Sequence, residues 1–346
     1  MKAVYFSEHG GIDKLTYGEL PDPKPGPNEV LVRVRACGIN HADRWIRQGW
    51  PMLRVPLPFT LGQDITGEVE VTSSASEAPA AGTRVIVNPG VSCGRCEPCC
   101  AGWDNLCARY QLIGKTIPGG YAELVKVPAQ NVVPLPSEIS FVTGACLPAV
   151  FGTTWNMIFD QAKLQPGEWI LIHAGGSGVG SAAIQLARMI GANIITTAGT
   201  DEKLEKAKAL GAHFGINYKT HDFLREVRRI TKKRGVDVVI EHIGEDVWER
   251  SLLCLTTGGR LVTCGASSGF LPKTDLRHVF FRNLEIMGVT AGSRSIMFRL
   301  LPLVQQGRLR PVLDRTLPLR EAPEAHRLLE GRQQFGKLVL VPEGSE

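Results

Sequence analysis

Apolar and polar residues alternate in Glu29-Val30-Leu31-Val32-Arg33-Val34-Arg35-Ala36, the pattern of a half-buried strand. Turn clusters such as Pro21-Asp22-Pro23-Lys24-Pro25-Gly26-Pro27 bound short runs of this kind, which gives the first 135 residues an all-β texture. The stretch 72–82, rich in Ser, Ala and Glu, reads as an exposed hairpin loop. Beyond about residue 140 the texture changes to strands alternating with helices. Residues 169–173 form a continuous apolar run, as expected of a strand buried on both faces. A glycine-rich turn and a helix over 179–190 follow, then a strand at 193–197 and a charged helix over 202–210. Further strands are expected at 236–240, 260–264 and 284–288. Alternation at this spacing specifies a parallel sheet wound by right-handed crossovers. From residue 293 two amphipathic helices lead to a last strand, 337–341, which comes after the wound sheet is complete and is expected to return to the first domain. The chain therefore reads as α/β with two domains: a β-rich one from 1–142 and 293–346, and a doubly wound one from 143–292. No internal repeat is present.

Composition narrows the class. With 43% hydrophobic and 21% charged residues among 346, disorder and coiled coil are excluded. The 38 glycines imply many turns and close backbone approaches, without the triplet period of collagen. Lys plus Arg exceed Asp plus Glu by five; this excess reads as spread along the chain, so nucleic acid is not an implied partner. No apolar stretch approaches the roughly 18 residues that a bilayer requires. The opening Met1-Lys2-Ala3-Val4-Tyr5-Phe6 lacks the apolar centre of a secretory leader, and a cytoplasmic protein is expected. Nine cysteines in a reducing compartment should be thiols or metal ligands.

A strand, then Ala174-Gly175-Gly176-Ser177-Gly178-Val179-Gly180, then a helix is the context a dinucleotide fingerprint requires. One glycine allows a sharp turn, a middle one lets main chain approach the pyrophosphate, and the last lets helix pack on strand. Ser177 holds the middle place, with Gly178 beside it. The phosphates would rest on the free amides of the helix start. The alternative is a flexible turn without ligand. An NAD site wants a carboxylate at the end of the second strand. Here that strand ends Thr197-Ala198-Gly199-Thr200, and Thr200, Lys203 and Tyr218 can instead receive a 2′-phosphate, which favours NADP(H) over NAD(H). Asp201 and Glu202 also read as ordinary acids in the first turn of a helix.

Cys93-x-x-Cys96-x-x-Cys99, with Cys107 after seven residues, brings four thiols into fifteen positions. As thiolates they can converge on one ion in a tetrahedron. A ferredoxin run would need its fourth cysteine after three residues with proline following, and Ala108 stands there instead. Four protein ligands leave no open position, so one structural zinc per chain is expected, with Cys100 a bystander.

This order of parts resembles the medium-chain dehydrogenase/reductase superfamily. Besides the cysteine lobe (93–107) and the glycine turn, the resemblance rests on Gly38-Ile39-Asn40-His41-Ala42-Asp43, Leu61-Gly62-Gln63-Asp64 and Leu147-Pro148-Ala149-Val150-Phe151-Gly152-Thr153-Thr154-Trp155. It implies a GroES-like catalytic domain beside a Rossmann dinucleotide-binding domain, an active site in the cleft between them, and a homodimer or homotetramer paired through the strand near 284–288. Zinc alcohol dehydrogenases of the superfamily hold a second, catalytic zinc, and at its three ligand positions this chain has Asn40, Gln63 and Ala149. Ala42 replaces the proton-relaying hydroxyl. Cys37 and Cys146 are out of register and read as core. The pattern resembles the quinone oxidoreductase group, which commonly lacks the cysteine lobe that this chain keeps.

Without a Lewis acid, nothing lowers an alcohol's pKa enough for hydride to leave near neutral pH. Hydride can still add to the β-carbon of an enone or quinone, with the developing oxyanion held by hydrogen bonds. An NADPH-dependent reductase of such small-molecule acceptors is therefore the leading expectation. Asn40, Asp43 and Gln63 are the candidate catalytic residues, Trp50 and Phe59 a candidate apolar wall, and Thr153 a nicotinamide contact or a helix cap. Two alternatives stand: an alcohol dehydrogenase with a weakly held metal at Asn40, Gln63 and Asp64, and a non-enzymatic dinucleotide- or RNA-binding relative.

Overall fold

The computed structural model describes residues 1–51, 53–72 and 79–344. The expected hairpin loop thus lies largely outside the described residues: Thr72 closes the strand Asp64–Thr72, and residues 73–78 are not among those described. The chain divides into two compact units, Met1–Gly152 with Ser293–Glu346, and Thr153–Gly292. Patterning puts the first break at 142/143; here it falls at 152/153. The cause is packing that the local sequence does not reveal. Ala145 and Cys146 are buried against Ala36 and Val339 of the first unit's sheet, and Thr66 Oγ1 donates to the Phe141 carbonyl at 2.7 Å.

The first unit is built on a seven-stranded sheet. Its long central strand, Glu29–Gly38, pairs antiparallel with Asp64–Thr72 and Leu124–Pro128. The last strand, Lys337–Val341, lies antiparallel to Glu29–Gly38 and parallel to Leu313–Pro318, a strand the patterning missed. Val32, Ile65, Val85, Leu338 and Leu340 point into one continuous apolar core. A two-stranded neck, Gly90–Val91 against Gln111–Leu112, carries the segment holding the four spaced cysteines.

The second unit is a six-stranded sheet in which every neighbour is parallel. Its order is Phe214–Asn217, Asn193–Ala198, Trp169–Ile172, Val236–Glu241, Leu255–Thr263, Glu285–Gly288. Numbered by chain order that is 3-2-1-4-5-6, the doubly wound arrangement whose ligand crevice lies at the carboxyl ends of the strands. Val236–Glu241 is buried along its whole length, which explains its nearly unbroken apolar sequence. Among the described residues no helix is long and apolar enough to cross a membrane.

Candidate active site

The turn after Trp169–Ile172 is sharp because Ala174 adopts φ +48, a left-handed conformation that sequence reasoning had given to a glycine. The glycines serve close approach instead. A Cβ on Gly175 would stand 2.3 Å from Thr196 Oγ1, and one on Gly180 would stand 2.2 Å from the Ala174 carbonyl oxygen. Ser177, in the middle place, caps the helix Gly178–Ile190 by accepting from the Gly180 N–H at 2.9 Å. Its hydroxyl also lies 3.2 Å from Nε2 of His242, a neighbour not anticipated from sequence, just past the strand Val236–Glu241. Gly176, Gly178 and Val179 complete this first turn, in which the N–H groups of Gly175, Ser177 and Gly180 donate to the Thr197 carbonyl, the Ala174 carbonyl and Ser177 Oγ.

Thr200, Lys203 and Tyr218 gather about the next strand end. Thr200 caps the helix Asp201–Leu210, accepting from the Lys203 N–H at 3.3 Å. The Tyr218 hydroxyl lies so close to Gly199 that a Cβ there would meet it at 2.7 Å, and Lys219 Cε would follow at 3.4 Å. Lys219 is therefore a further cation at this turn. Asp201 is tied sideways, accepting from Asn217 Nδ2 at 2.9 Å. Thr153 sits inside the helix Pro148–Trp155, not at its start, which removes the capping role.

In the first unit the sulfurs of Cys93, Cys96, Cys99 and Cys107 lie within 4.8 Å of one another, three of these residues half-buried. The Cys96–Cys99 and Cys93–Cys99 sulfur separations are 3.4 and 3.9 Å. Four thiolates at zinc's bond length of about 2.3 Å around a tetrahedron sit about 3.8 Å apart, so the set fits that ion. Main-chain N–H groups of Cys93 and Arg109 point at the Cys107 sulfur at 3.5 and 3.4 Å. The Arg95 N–H and then the Arg109 guanidinium pull the Cys93 thiol down to about 5, whereas Cys96, crowded among the other thiols, is pushed up to about 12. Cys100 is exposed and outside the set.

The three ligand positions of a catalytic metal are arranged very differently. Asn40 precedes the helix His41–Gln48, and its side chain is committed inward: Nδ2 donates to Asp64 at 2.9 Å, and Oδ1 accepts from Lys337 Nζ at 2.7 Å. Lys337 Nζ also donates to Asp64 Oδ2 and to the Ile39 carbonyl, both at 2.7 Å, which uses all three of its protons. The remaining Asp64 oxygen accepts the Ala149 N–H at 2.6 Å. Asp64 is 0% and Lys337 4% exposed, a buried ion pair with a complete set of partners. Gln63 is 6% exposed, and its amide makes no hydrogen bond to another described residue.

Asp43 is fully buried. Its carboxylate accepts from the N–H groups of Asn40 and Gly62 and from the Tyr121 hydroxyl, at 2.8, 3.3 and 3.1 Å. Burial nevertheless pushes it up to about 7. The Tyr121 hydroxyl also lies 3.4 Å from Nε2 of buried His326, which burial holds down to about 3. Burial lowers His41 to about 4, followed by the nearby cations Arg44, Arg332 and Lys337. Phe59 is wholly buried against Phe6, so it forms core and not a wall, whereas Trp50 is half-buried under the Lys115 ammonium. Cys37 and Cys146 are buried, and burial raises both thiols, Cys146 to about 12. Lys337, Asp64, Tyr121, His326 and His242 are the site residues whose partnerships sequence reasoning missed. Each meets a partner at a sequence separation of 24 to 298, beyond any local pattern.

A β-rich unit with a four-cysteine lobe and a doubly wound unit with a dinucleotide turn define a nicotinamide-dependent oxidoreductase of two domains. Residues 26–137 match the alcohol dehydrogenase GroES-like domain, and residues 178–306 match the zinc-binding dehydrogenase domain. Over 99% of its length the chain is 32% identical to the whole of an NAD-dependent alcohol dehydrogenase of Sulfurisphaera tokodaii. It is 29% identical to the human quinone oxidoreductase, over 99% of this chain and 98% of that one. A crystal structure of an NAD-dependent alcohol dehydrogenase is 45% identical and covers 99% of both chains with a TM-score of 0.94. The chain belongs to the medium-chain dehydrogenase/reductase superfamily and is an NAD(P)-dependent oxidoreductase.

Proposed function

We propose that this protein is an NADPH-dependent reductase of quinones or α,β-unsaturated carbonyls that moves hydride without a catalytic metal. The observation that carries the reading is Lys337. Its ammonium already neutralises Asp64 and occupies Asn40 Oδ1, so a divalent ion there would face a fixed positive charge 2.7 Å from the oxygens it needs. Gln63 and Ala149 add an amide and a methyl group, neither a good ligand for zinc.

When bound, NADPH supplies hydride to the β-carbon of the acceptor, and negative charge gathers on the conjugated oxygen. The chain's own work is binding and charge stabilisation. Free amides at the start of Gly178–Ile190 hold the pyrophosphate, and Thr200, Lys203 and Tyr218, joined by Lys219, hold the 2′-phosphate. The uncommitted Gln63 amide donates to the acceptor oxygen as its charge grows. Asn40 and Asp43 are positioning residues that hold this loop through Asp64 and Tyr121. Cys93, Cys96, Cys99 and Cys107 hold a structural zinc that shapes the lobe.

A homodimer is part of the proposal. Glu285–Gly288 pairs on one side only among the described residues, and exposed Leu276, Phe280, Phe281 and Ile286 lie on or near it. A second copy can extend the sheet there and cover these side chains.

Assay of quinones, enones and alcohols with both cofactors, alongside metal analysis, tests the whole reading. Reduction of conjugated acceptors should survive mild chelation, with about one zinc per chain. Two zinc equivalents, with alcohol oxidation lost on chelation, would overturn it. Lys203→Glu should weaken NADPH by roughly tenfold more than NADH, as expected for loss of one charge-assisted phosphate contact. Equal effects on both cofactors would refute the 2′-phosphate assignment.

A further inference from the structure

The positive excess is concentrated in part. Between residues 223 and 235 lie six cations (Arg225, Arg228, Arg229, Lys232, Lys233, Arg234) and one acid, Glu226, a difference of 6 − 1 = +5 that equals the excess of the whole protein. With the flanking Asp222 and Asp237 included, residues 222–237 still net 6 − 3 = +3. The fold concentrates this charge further. The helix Phe223–Ile230 buries Phe223 and Val227 and leaves Arg225, Arg228 and Arg229 exposed. The chain then reverses: the Lys233 N–H donates to the Arg228 carbonyl at 2.6 Å, with Lys232 and Lys233 at φ 52 and 68.

The reversal walls a depression of about 620 Å³ with Arg225, Arg228, Arg229, Lys233, Arg234 and Arg282. Leu255 gives it an apolar patch, and Thr256 and Thr257 line it beside that patch. Two of the six cations are neutralised locally, Arg229 by Glu226 and Arg234 by Asp237. Arg282 donates only to the carbonyls of His278, Leu255 and Leu252, which carry no countercharge. Arg225, Arg228 and Lys233 have no carboxylate partner among the described residues. Four uncompensated cations around one concavity repel one another until an anion enters. Burial holds Arg282 below its usual range, and the charge of Arg228 is the next cause.

This place is separate from the dinucleotide turn. Gly235 leads into the strand Val236–Glu241, and Leu255 begins Leu255–Thr263, so the depression lies at the amino ends of the parallel strands. The fingerprint follows the carboxyl end of Trp169–Ile172, which runs the same way. At about 3.3 Å per residue, a six-residue strand separates the two edges by about 20 Å.

We propose that this depression is a second ligand site, for a compound bearing several linked phosphates, such as a nucleoside triphosphate or an inorganic oligophosphate. Its volume falls within the roughly 300–1,000 Å³ of small-molecule pockets, and guanidinium forks bind phosphate oxygens in pairs. Arg225 and Arg228, three positions apart on one helix face, meet Lys233 across the reversal and bracket an extended phosphate chain.

Titration calorimetry on the full chain tests this with sodium tripolyphosphate and with ATP, each with and without saturating NADPH, in about 0.15 M salt. Tripolyphosphate should bind once per chain and should not be displaced by NADPH. ATP binding more tightly than tripolyphosphate assigns the site to nucleotides, and equal binding assigns it to the phosphate chain alone. The exposed pair Arg228→Gln with Lys233→Gln, and separately Arg225→Gln, should weaken binding roughly tenfold or more while NADPH affinity stays unchanged. The proposal is overturned by absence of saturable tripolyphosphate binding, by displacement with NADPH, or by affinity that ignores both variants.

Discussion

The cysteine lobe and the pocket around Asp64 belong to the same unit, and both crowd electron-rich atoms together. They differ in where the neutralising cation comes from. In the lobe, four sulfurs lie within 4.8 Å of one another, and the charge that reconciles them must arrive from outside. In the pocket it comes with the chain, as Lys337, and every oxygen of Asp64 is spoken for. A set that takes its cation from solution has to be reachable, and Cys93, Cys96 and Cys99 are half-buried on a two-stranded neck. A set that carries its own cation can be sealed, and Asp64 and Lys337 are. One unit thus holds a cluster of four thiols near its surface and a buried carboxylate matched by a covalently attached charge.

The most severe way to break the comparison is Lys337→Met. It leaves Asp64 as an uncompensated buried charge, and stability should fall by about 3–5 kcal/mol in urea unfolding. Adding Asp64→Asn should recover much of that loss, and zinc content should stay unchanged throughout, because Asn40, Gln63 and Ala149 supply no ligand set. A rise in zinc content would show that only the ammonium had been excluding a second metal.

A smaller effect should appear with pH. Burial raises Asp43 from an unfolded value of 3.8 to about 7, so the stability from protonating it is fully present below the unfolded value and is lost as pH rises through about 7. Buried His326 and His173, both lowered to about 3, act oppositely and lose stability as pH falls below about 6.5. Between pH 7.5 and 5.5 an Asp43→Asn variant should therefore lose about 2 kcal/mol more than the parent. Parallel profiles for the two proteins would mean that burial does not shift Asp43 into this pH range. The mildest change in stability is expected for Cys96→Ser. Zinc should drop from about one to under about half an equivalent per chain, with a melting temperature lower by a few degrees. Unchanged zinc content would remove the lobe from the comparison.

Much of this architecture is legible locally. Unbroken apolar runs such as 236–240 mark strands covered on both faces, and the 93–107 spacing marks converging thiols because a short loop brings its own ligands together. What escapes is long-range. Nothing near Lys337 announces that its ammonium will reach Asp64, 273 positions earlier. Tyr121 and His326 look like ordinary core residues until the Tyr121 hydroxyl is seen between Asp43 and His326. The 225–234 cations are visible in the sequence but dilute within a whole-chain sum. Their meaning depends on a helix reversal that folds two halves of the run around one hollow.

The position of Lys337–Val341 also has a consequence for biosynthesis. This strand is inserted between Glu29–Gly38 and Leu313–Pro318, so the sheet that Glu29–Gly38 begins cannot be finished until residues 337–341, about 300 positions later, have emerged from the ribosome. Thr153–Gly292 is complete 49 residues earlier than Val341, a lead of about 2–10 s at ordinary elongation rates. The unit made second is free to fold first, and a nascent chain stopped short of residue 337 lacks both the closing strand and the cation that neutralises Asp64.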